Sequence, residues 1–302
     1  MGAADVVPGV SGGTIAFISG VYEELIDSLR KIDWTALQVL LRQGIKAAWL
    51  HINGNFLLTL FSGVILSAIT LANIVVYCLE HYPVLIWAFF FGLVLASSLY
   101  LARHLERWTW VEVVTLIVGI AAAWSVSELK PAQLSNDWWV ILLAGSVAIC
   151  AMILPGVSGS FILLMMGLYT TVIEGLLSFD VVLIVTFGSG CVIGLLSFSH
   201  LLSWLLHRFH SATLATMTGF LLGSLNEIWP WKHVLVSTLD RHGETVALVR
   251  ENVLPQQYLS LTGQDPTLTL ALLAALIGAV LVLTLELSAK TSQAVKPKTA
   301  RS

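Results

Sequence analysis

The chain has 302 residues, is 57% hydrophobic and only 11% charged, and carries a net charge of −3. A soluble domain carries about twice that charged fraction, so a water-soluble globule is excluded, and the slight negative charge gives nucleic acid no footing. Several apolar runs reach the roughly 20 residues that a helix needs to cross a hydrocarbon layer of about 30 Å, so the predicted class is an all-α polytopic membrane protein. Many of the 11 Trp sit at the ends of these runs, among them Trp34, Trp49, Trp108, Trp110, Trp138, Trp139, Trp229 and Trp231, where interfacial anchoring puts them. Cys78, Cys150 and Cys191 lie inside apolar runs without C-x-x-C spacing and read as packing residues.

From the start of the chain, Met1 leads almost directly into P-G-V-S-G at Pro8–Gly12, with no cleavable leader legible. Residues 28–55 read as an amphipathic segment at the cytosolic surface, with Trp34, Leu37, Leu40 and Leu41 at helical spacing. Spans are predicted at 56–79, 83–101 and 110–126. An apolar arm follows at 138–154. After it come a break at Pro155–Ser160, which holds a second P-G-V-S-G, and another apolar arm at 161–177. Further spans are predicted at 180–206, 212–226 and 267–289. The 212–226 run is short and either stands with little tilt or extends to Trp229. Residues 227–266 read as a long polar loop, and the tail from Lys290 as polar and disordered.

The two P-G-V-S-G segments head a longer repeat. At an offset of 147, Gly20, Tyr22 and Asp27 match Gly167, Tyr169 and Glu174; at an offset of 127, Gly63, Gly92, Leu95 and Ser97 match Gly190, Gly219, Leu222 and Ser224. Residues 1–126 and 127–289 therefore form two halves, each a helical hairpin plus three spans, followed by a cytoplasmic tail at 290–302. If both motif segments are re-entrant hairpins, 11 of the 15 Lys and Arg fall on one face: Arg30, Lys31, Arg42, Lys46, Arg103, Arg107, Arg208, Lys290, Lys296, Lys298 and Arg301. That asymmetry puts this face and the C-terminus in the cytoplasm. It also makes the halves inverted repeats, with the first hairpin entering from the cytoplasm and the second from outside. The second motif follows an apolar arm and the first does not, so a further short apolar stretch upstream of Met1 is expected.

Paired interruptions of this kind point to a transporter's binding site. A backbone break at membrane depth is tolerated only where protein buries it or where it lines a cavity. It frees N–H groups, and the helix that follows turns its positive end to the gap. Ser11, Gly12, Gly13 and Thr14, and Ser158, Gly159 and Ser160, supply hydroxyls and closely approachable amides suited to a phosphate or another oxyanion. Tight helix packing by small residues is the competing explanation for one such run, and the repeat favours binding.

Among the acids, Asp5 sits beside the first break, where it would take part in proton coupling or hold the loop by accepting backbone N–H bonds. Glu23, Glu24 and Asp27 follow the first motif and Glu174 the second. An ionisable group at membrane depth is a candidate for function, yet Asp27 and Glu174 read first as solvated acids at helix ends. Arg103 and Arg208 follow spans, and they read first as positive-inside anchors and second as guides for an anionic headgroup. His200 reads as a packed histidine before a proton relay, and Glu286 as a helix-end group. No His pair has metal-binding spacing, and there is no P-loop, G-x-G-x-x-G or nucleophile–base pair.

The stretch MGAADVVPGVSGGTIAFISGVYEEL, the later LPGVSGSFILLMMGLY and the segment GSLNEIWPW together resemble the PopT-type family of bacterial polyprenyl-phosphate translocases, over essentially the whole chain. The resemblance implies a bacterial plasma-membrane protein whose partner is a polyprenyl-phosphate lipid. Its implied role is to return undecaprenyl phosphate, the carrier lipid for peptidoglycan and other envelope glycans, to the inner leaflet. In the combined expectation, the headgroup sits between two opposed hairpins, the prenyl tail stays in lipid and the hairpins rock in alternating access. No cofactor is expected, and a coupling ion, H⁺ or Na⁺, would offset the cost of moving an anion inward. Two alternatives stay open. A polyprenyl-diphosphate phosphatase shares the hairpin style, but no Arg follows either loop here, and phosphoryl transfer normally requires Arg, Lys or a metal. A carrier of a small soluble anion would need a similar headgroup site. Oligomeric state is not legible.

Overall fold

The structure is a computed structural model that describes residues 1–5, 11–105, 108–128, 132, 134–239 and 245–295. Pro8, Gly9 and Val10 of the first motif, with Arg107, Lys130, Arg241 and the tail from Lys296, lie outside the described residues.

The chain opens with three short helices, α1 (Gly2–Asp5), α2 (Gly12–Ile18) and α3 (Tyr22–Arg30). Gly20, at φ +71, makes the turn between α2 and α3, a conformation that a Cβ would oppose. Two more short helices follow, α4 (Trp34–Gln43) and α5 (Ile45–His51). Asp33 caps α4 by accepting from the Ala36 N–H at 2.9 Å. Neither α4 nor α5 buries any residue, and Trp34, Leu41 and Ile45 are 70–78% exposed, which fits a segment lying on a membrane surface.

Long helices come next: α6 (Gly54–His81), α7 (Pro83–His104) and α8 (Trp110–Ser127). Pro83 opens α7 at the position where its missing N–H costs nothing, and Thr109 with Glu112 forms a capping box on α8. The second motif region holds α9 (Trp138–Ile153), α10 (Gly159–Met165) and α11 (Tyr169–Leu177). The arm predicted as continuous over 161–177 is bent by 112° between α10 and α11, because Gly167 turns the chain at φ +71. Next stand α12 (Val181–Arg208) and α13 (His210–Ser224). α13 ends at Ser224 and does not extend to Trp229.

Residues 227–266, predicted as a polar loop, instead form the antiparallel strands β1 (Lys232–Leu239) and β2 (Thr245–Asn252), then α14 (Pro255–Thr262). The short Val-rich apolar runs V-L-V and V-A-L-V carry that hairpin, and the surrounding polar residues mask them. The last helix is α15 (Leu268–Val295). Among the described residues, the regular structure is thus helical apart from one two-stranded sheet. Among the described residues, four helices, α6, α7, α8 and α12, are long and apolar enough to cross a membrane, and α10 with α11 would make a fifth if the bent pair counts as one span.

Three helix pairs build the body: α8 with α13, α7 with α15, and α9 with α12. Each is joined through glycine. A Cβ on Gly219 would stand 2.3 Å from the Leu116 carbonyl, and one on Gly278 would stand 2.1 Å from that of Phe89. Such close backbone approach is the usual mode of helix association in lipid. The core gathers Tyr22, Ile26, Trp87, Leu202, Met217, Leu221, Ile228 and Val282. Outside it the usual order is reversed: Ile69 on α6 and Val182 on α12 are at least 70% exposed, as lipid-facing apolar side chains are.

Candidate functional site

Where α9 stops at Ile153, its last carbonyls lose their helical partners. Leu154 and Ser158 take extended backbone, and Gly156, at φ +84, passes so close to α13 that a Cβ would lie 2.8 Å from the Phe220 carbonyl. The freed groups are satisfied by the first motif. The Ser11 hydroxyl donates to the Met152 carbonyl at 3.1 Å and leans toward that of Leu154 at 3.4 Å. The Tyr22 hydroxyl donates to the Ile153 carbonyl at 3.0 Å. In return, the Gly156 N–H donates to the Thr14 Oγ1 at 2.9 Å. The two repeated motifs therefore meet, and the polar groups that one break exposes are used by the other. Ser11, Thr14 and Tyr22 are at most 2% exposed.

The same first motif is held locally. Ser11 caps α2 by accepting from the Gly13 N–H at 3.1 Å. The Gly12 N–H donates to the Asp5 carboxylate at 2.6 Å, so Asp5 clamps the start of α2. Gly13 lies against the end of α9, where a Cβ would meet the Ile153 carbonyl at 2.7 Å.

The second motif is more open. Ser158 caps α10 by accepting from the Phe161 N–H at 3.4 Å, and its hydroxyl shares a hydrogen bond with that of Ser160 at 2.9 Å. Gly159 is buried against the Ala148 carbonyl. Ser158 lines a shallow open cleft with Ser127, Gly156, Phe161, Ser224 and Glu227, and Ser160 beside it is exposed. In this conformation the motif hydroxyls thus divide. Ser11 and Thr14 face the partner motif, whereas Ser158 faces the cleft.

The remaining residues singled out from sequence lie elsewhere. Glu23 stands 3.8 Å from His210, and Glu24 accepts from the Asn53 side chain at 3.0 Å. Glu174 is half-buried on α11, Arg103 is exposed on α7, and Arg208 lies 6.0 Å from the centre of the Phe209 ring. The His200 ring is exposed and bonds its own helix at the Leu196 carbonyl. Asp27 is partly solvated near the end of α3 and also has partners. It accepts from the Ser203 hydroxyl at 2.7 Å and lies 3.8 Å from His207, while Arg30 donates to Ser203 at 3.0 Å. This cluster ties α3 to α12. Its members lie more than half the chain apart, so nothing in the local sequence reveals it.

A family profile described as undecaprenyl phosphate translocase-like matches residues 1–246. A polyprenyl-phosphate transporter from Vibrio cholerae is 47% identical over 286 residues, covering 95% of this chain and 93% of that protein. A second polyprenyl-phosphate transporter, from Staphylococcus aureus, is 29% identical over 248 residues, covering 76% of this chain and 83% of that protein. No solved structure matches the chain.

Proposed function

The chain belongs to the undecaprenyl phosphate translocase-like family, and from that premise we propose that it carries a polyprenyl phosphate across the bacterial plasma membrane. The direction is from the outer to the inner leaflet, by alternating access about the two motifs. The observation that carries this reading is the junction itself. Two sequence-related breaks bond to each other through Ser11, Thr14 and Tyr22, and the hydroxyl-bearing side of one of them, at Ser158, is left facing a cleft. A phosphate monoester accepts hydrogen bonds from such hydroxyls and amides, and its prenyl tail stays in lipid.

Inverted halves supply the motion. The offset of 147 carries α2 onto α10 and α3 onto α11, residue for residue, and the offset of 127 carries α6 onto α12. The chain leaves α6 at Tyr82 (φ −135, ψ 51) and α12 at Phe209 (φ −132, ψ 50) with nearly the same dihedrals. Exchanging the conformations of such halves turns a site open to one face into a site open to the other. With the Arg-rich loops in the cytoplasm, α8 starts at the inner face and reaches the cleft at its far end, Ser127. The cleft then opens outward, where the spent carrier lipid accumulates. Inward movement of an anion against an inside-negative potential costs about 2.3 kcal/mol per charge per 100 mV, which makes H⁺ or Na⁺ coupling part of the reading.

Leaflet-resolved transport of polyprenyl phosphate in proteoliposomes tests it, with wild type beside Ser158→Leu. Wild type should accelerate inward transfer, and Ser158→Leu should lower the rate at least tenfold while inorganic phosphate in excess leaves wild type unaffected. Equal rates in the two proteins would remove Ser158 from the site. Suppression by inorganic phosphate would point to a carrier of soluble anions.

A further inference from the structure

The wall of the cleft contains a charge pair that the proposed function does not yet use. Glu227 lines the cleft beside Ser158. Behind it Lys232, the first residue of β1, places its Nζ 3.6 Å from the Glu227 carboxylate, donates to the Glu227 carbonyl and lies 5.3 Å from the centre of the Trp87 ring. The Lys232 side chain is 9% exposed and that of Glu227 25%. The ammonium is therefore nearly sealed in protein, near an aromatic face and paired with a partly wetted carboxylate that itself lines the cleft.

The pair is held firmly. Asn226 donates to the Ser127 hydroxyl at 2.8 Å and to the Glu128 carboxylate at 3.2 Å, and the Asn252 side chain donates to Asn226. Between the two charged residues, the Trp229 and Trp231 indoles donate to the carbonyls of Val253 and Pro266, each at 2.9 Å. The segment from Asn226 to Lys232 is thus pinned at both ends to α8, the β-hairpin and the start of α15.

A buried ammonium is stable only while it keeps a counter-charge. The Trp87 face supports a cation without neutralising it. An anion entering the cleft is repelled by the Glu227 carboxylate in its wall and attracted by the ammonium 3.6 Å from that carboxylate. Resting on the reading that the cleft receives a phosphate headgroup, we propose that Lys232 is the headgroup's counter-cation and that Glu227 is the resident competitor that holds it in the empty protein. The headgroup takes the place of the carboxylate at the ammonium, one oxyanion exchanging for another. Phosphate is the chemistry such an exchange selects, because it accepts from Lys232 and from the hydroxyls of Ser158 and Ser160 together.

This assignment gives the two partners of one ion pair opposite effects, which a purely structural salt bridge does not do. The test is binding to the full chain in detergent, using a short-chain polyprenyl phosphate, the corresponding prenyl alcohol and inorganic phosphate as separate probes. Wild type should bind the lipid phosphate and not the alcohol, and binding of inorganic phosphate as tightly would assign the site to free phosphate. Removing one charge-assisted hydrogen bond corresponds to roughly ten- to hundredfold in affinity. Lys232→Gln should weaken lipid-phosphate binding by about that factor, Lys232→Arg should keep most of it, and Glu227→Gln should tighten it. The ligand-induced rise in melting temperature should also be larger in Glu227→Gln than in wild type. Weaker or unchanged binding in Glu227→Gln overturns the proposal, and that conservative variant decides the matter even if Lys232→Gln does not fold. Failure of wild type to bind any prenyl phosphate would overturn the functional reading along with it, whereas a normal wild type with two equally impaired variants overturns the charge exchange alone.

Discussion

Tyr22 illustrates what single side chains contribute here. Its hydroxyl satisfies the Ile153 carbonyl inside the protein, and the ring is 1% exposed and packs edge-on against Phe17. Tyr22→Phe keeps the packing and leaves one buried carbonyl without its donor, which costs about 1–3 kcal/mol. Thr14→Val should cost a similar amount by orphaning the Gly156 N–H. Thermal unfolding of the purified variants should show both losses. Unchanged melting temperatures would mean that the two motifs do not depend on these bonds. The sequence displayed these hydroxyls in plain view, as Ser11 and Thr14 beside a break, and their chemistry suggested a ligand. It did not display their partners. The carbonyls of Met152, Ile153 and Leu154 are freed by a break far along the chain, and only the fold pairs the two demands.

Among the elements, α4 depends on its cap. Partial burial pushes the Asp33 carboxyl up, but donors at the Ala36 and Thr35 N–H groups and the Thr35 hydroxyl, with His51 nearby, outweigh that effect and hold it below the usual carboxylate range. A lowered value in the folded state means that Asp33 stabilises α4 above the ordinary carboxylate range and loses that contribution as pH falls through the depressed value. Asp33→Ala should weaken the helix by about 1 kcal/mol, read as faster hydrogen exchange confined to the α4 amides; exchange unchanged there would show that membrane contact, not the cap, sets this helix. At the α8–α13 contact the expected effect is larger. Gly219→Leu drives a side chain into the Leu116 carbonyl, and overpacking of this kind costs about 1–3 kcal/mol. The yield of folded protein should fall, and a normal yield would mean the two helices can separate freely. Apolar length made most helices legible: Pro83, Trp110 and the start of α12 fall within a residue or two of their predicted positions. The bend after Met165 was not legible, because Gly167 sits in an otherwise unbroken apolar run. Nor was the β-hairpin, because its apolar runs are only three and four residues long and lie among polar residues.

For the whole molecule, the α3–α12 cluster joins a helix of the first half to one of the second. Asp27 and Ser203 are short side chains 2.7 Å apart, so Asp27→Cys with Ser203→Cys places two thiols within bonding reach. If alternating access requires α3 to part from α12, oxidation should stop transport in proteoliposomes and reduction should restore it, with lipid-phosphate binding retained throughout. Full transport by the cross-linked protein would mean that this contact stays closed through the cycle. The repeat that made two related halves visible in the sequence did not reveal how they associate. Repeat offsets report likeness between segments and carry no information about which segment touches which.

That association bears on how the protein is made. The glycine-bearing face of α7 has its partner on α15, at the opposite end of the chain, as Gly92 against Ala275 and Gly278 against Phe89 record. A ribosome delivers α7 to the bilayer long before it delivers α15, so a newly inserted first half waits with that seam bare, and folding cannot close until translation is nearly over. Chains cut short before residue 268 should therefore be cleared by membrane proteases, even though every predicted motif is already present in them.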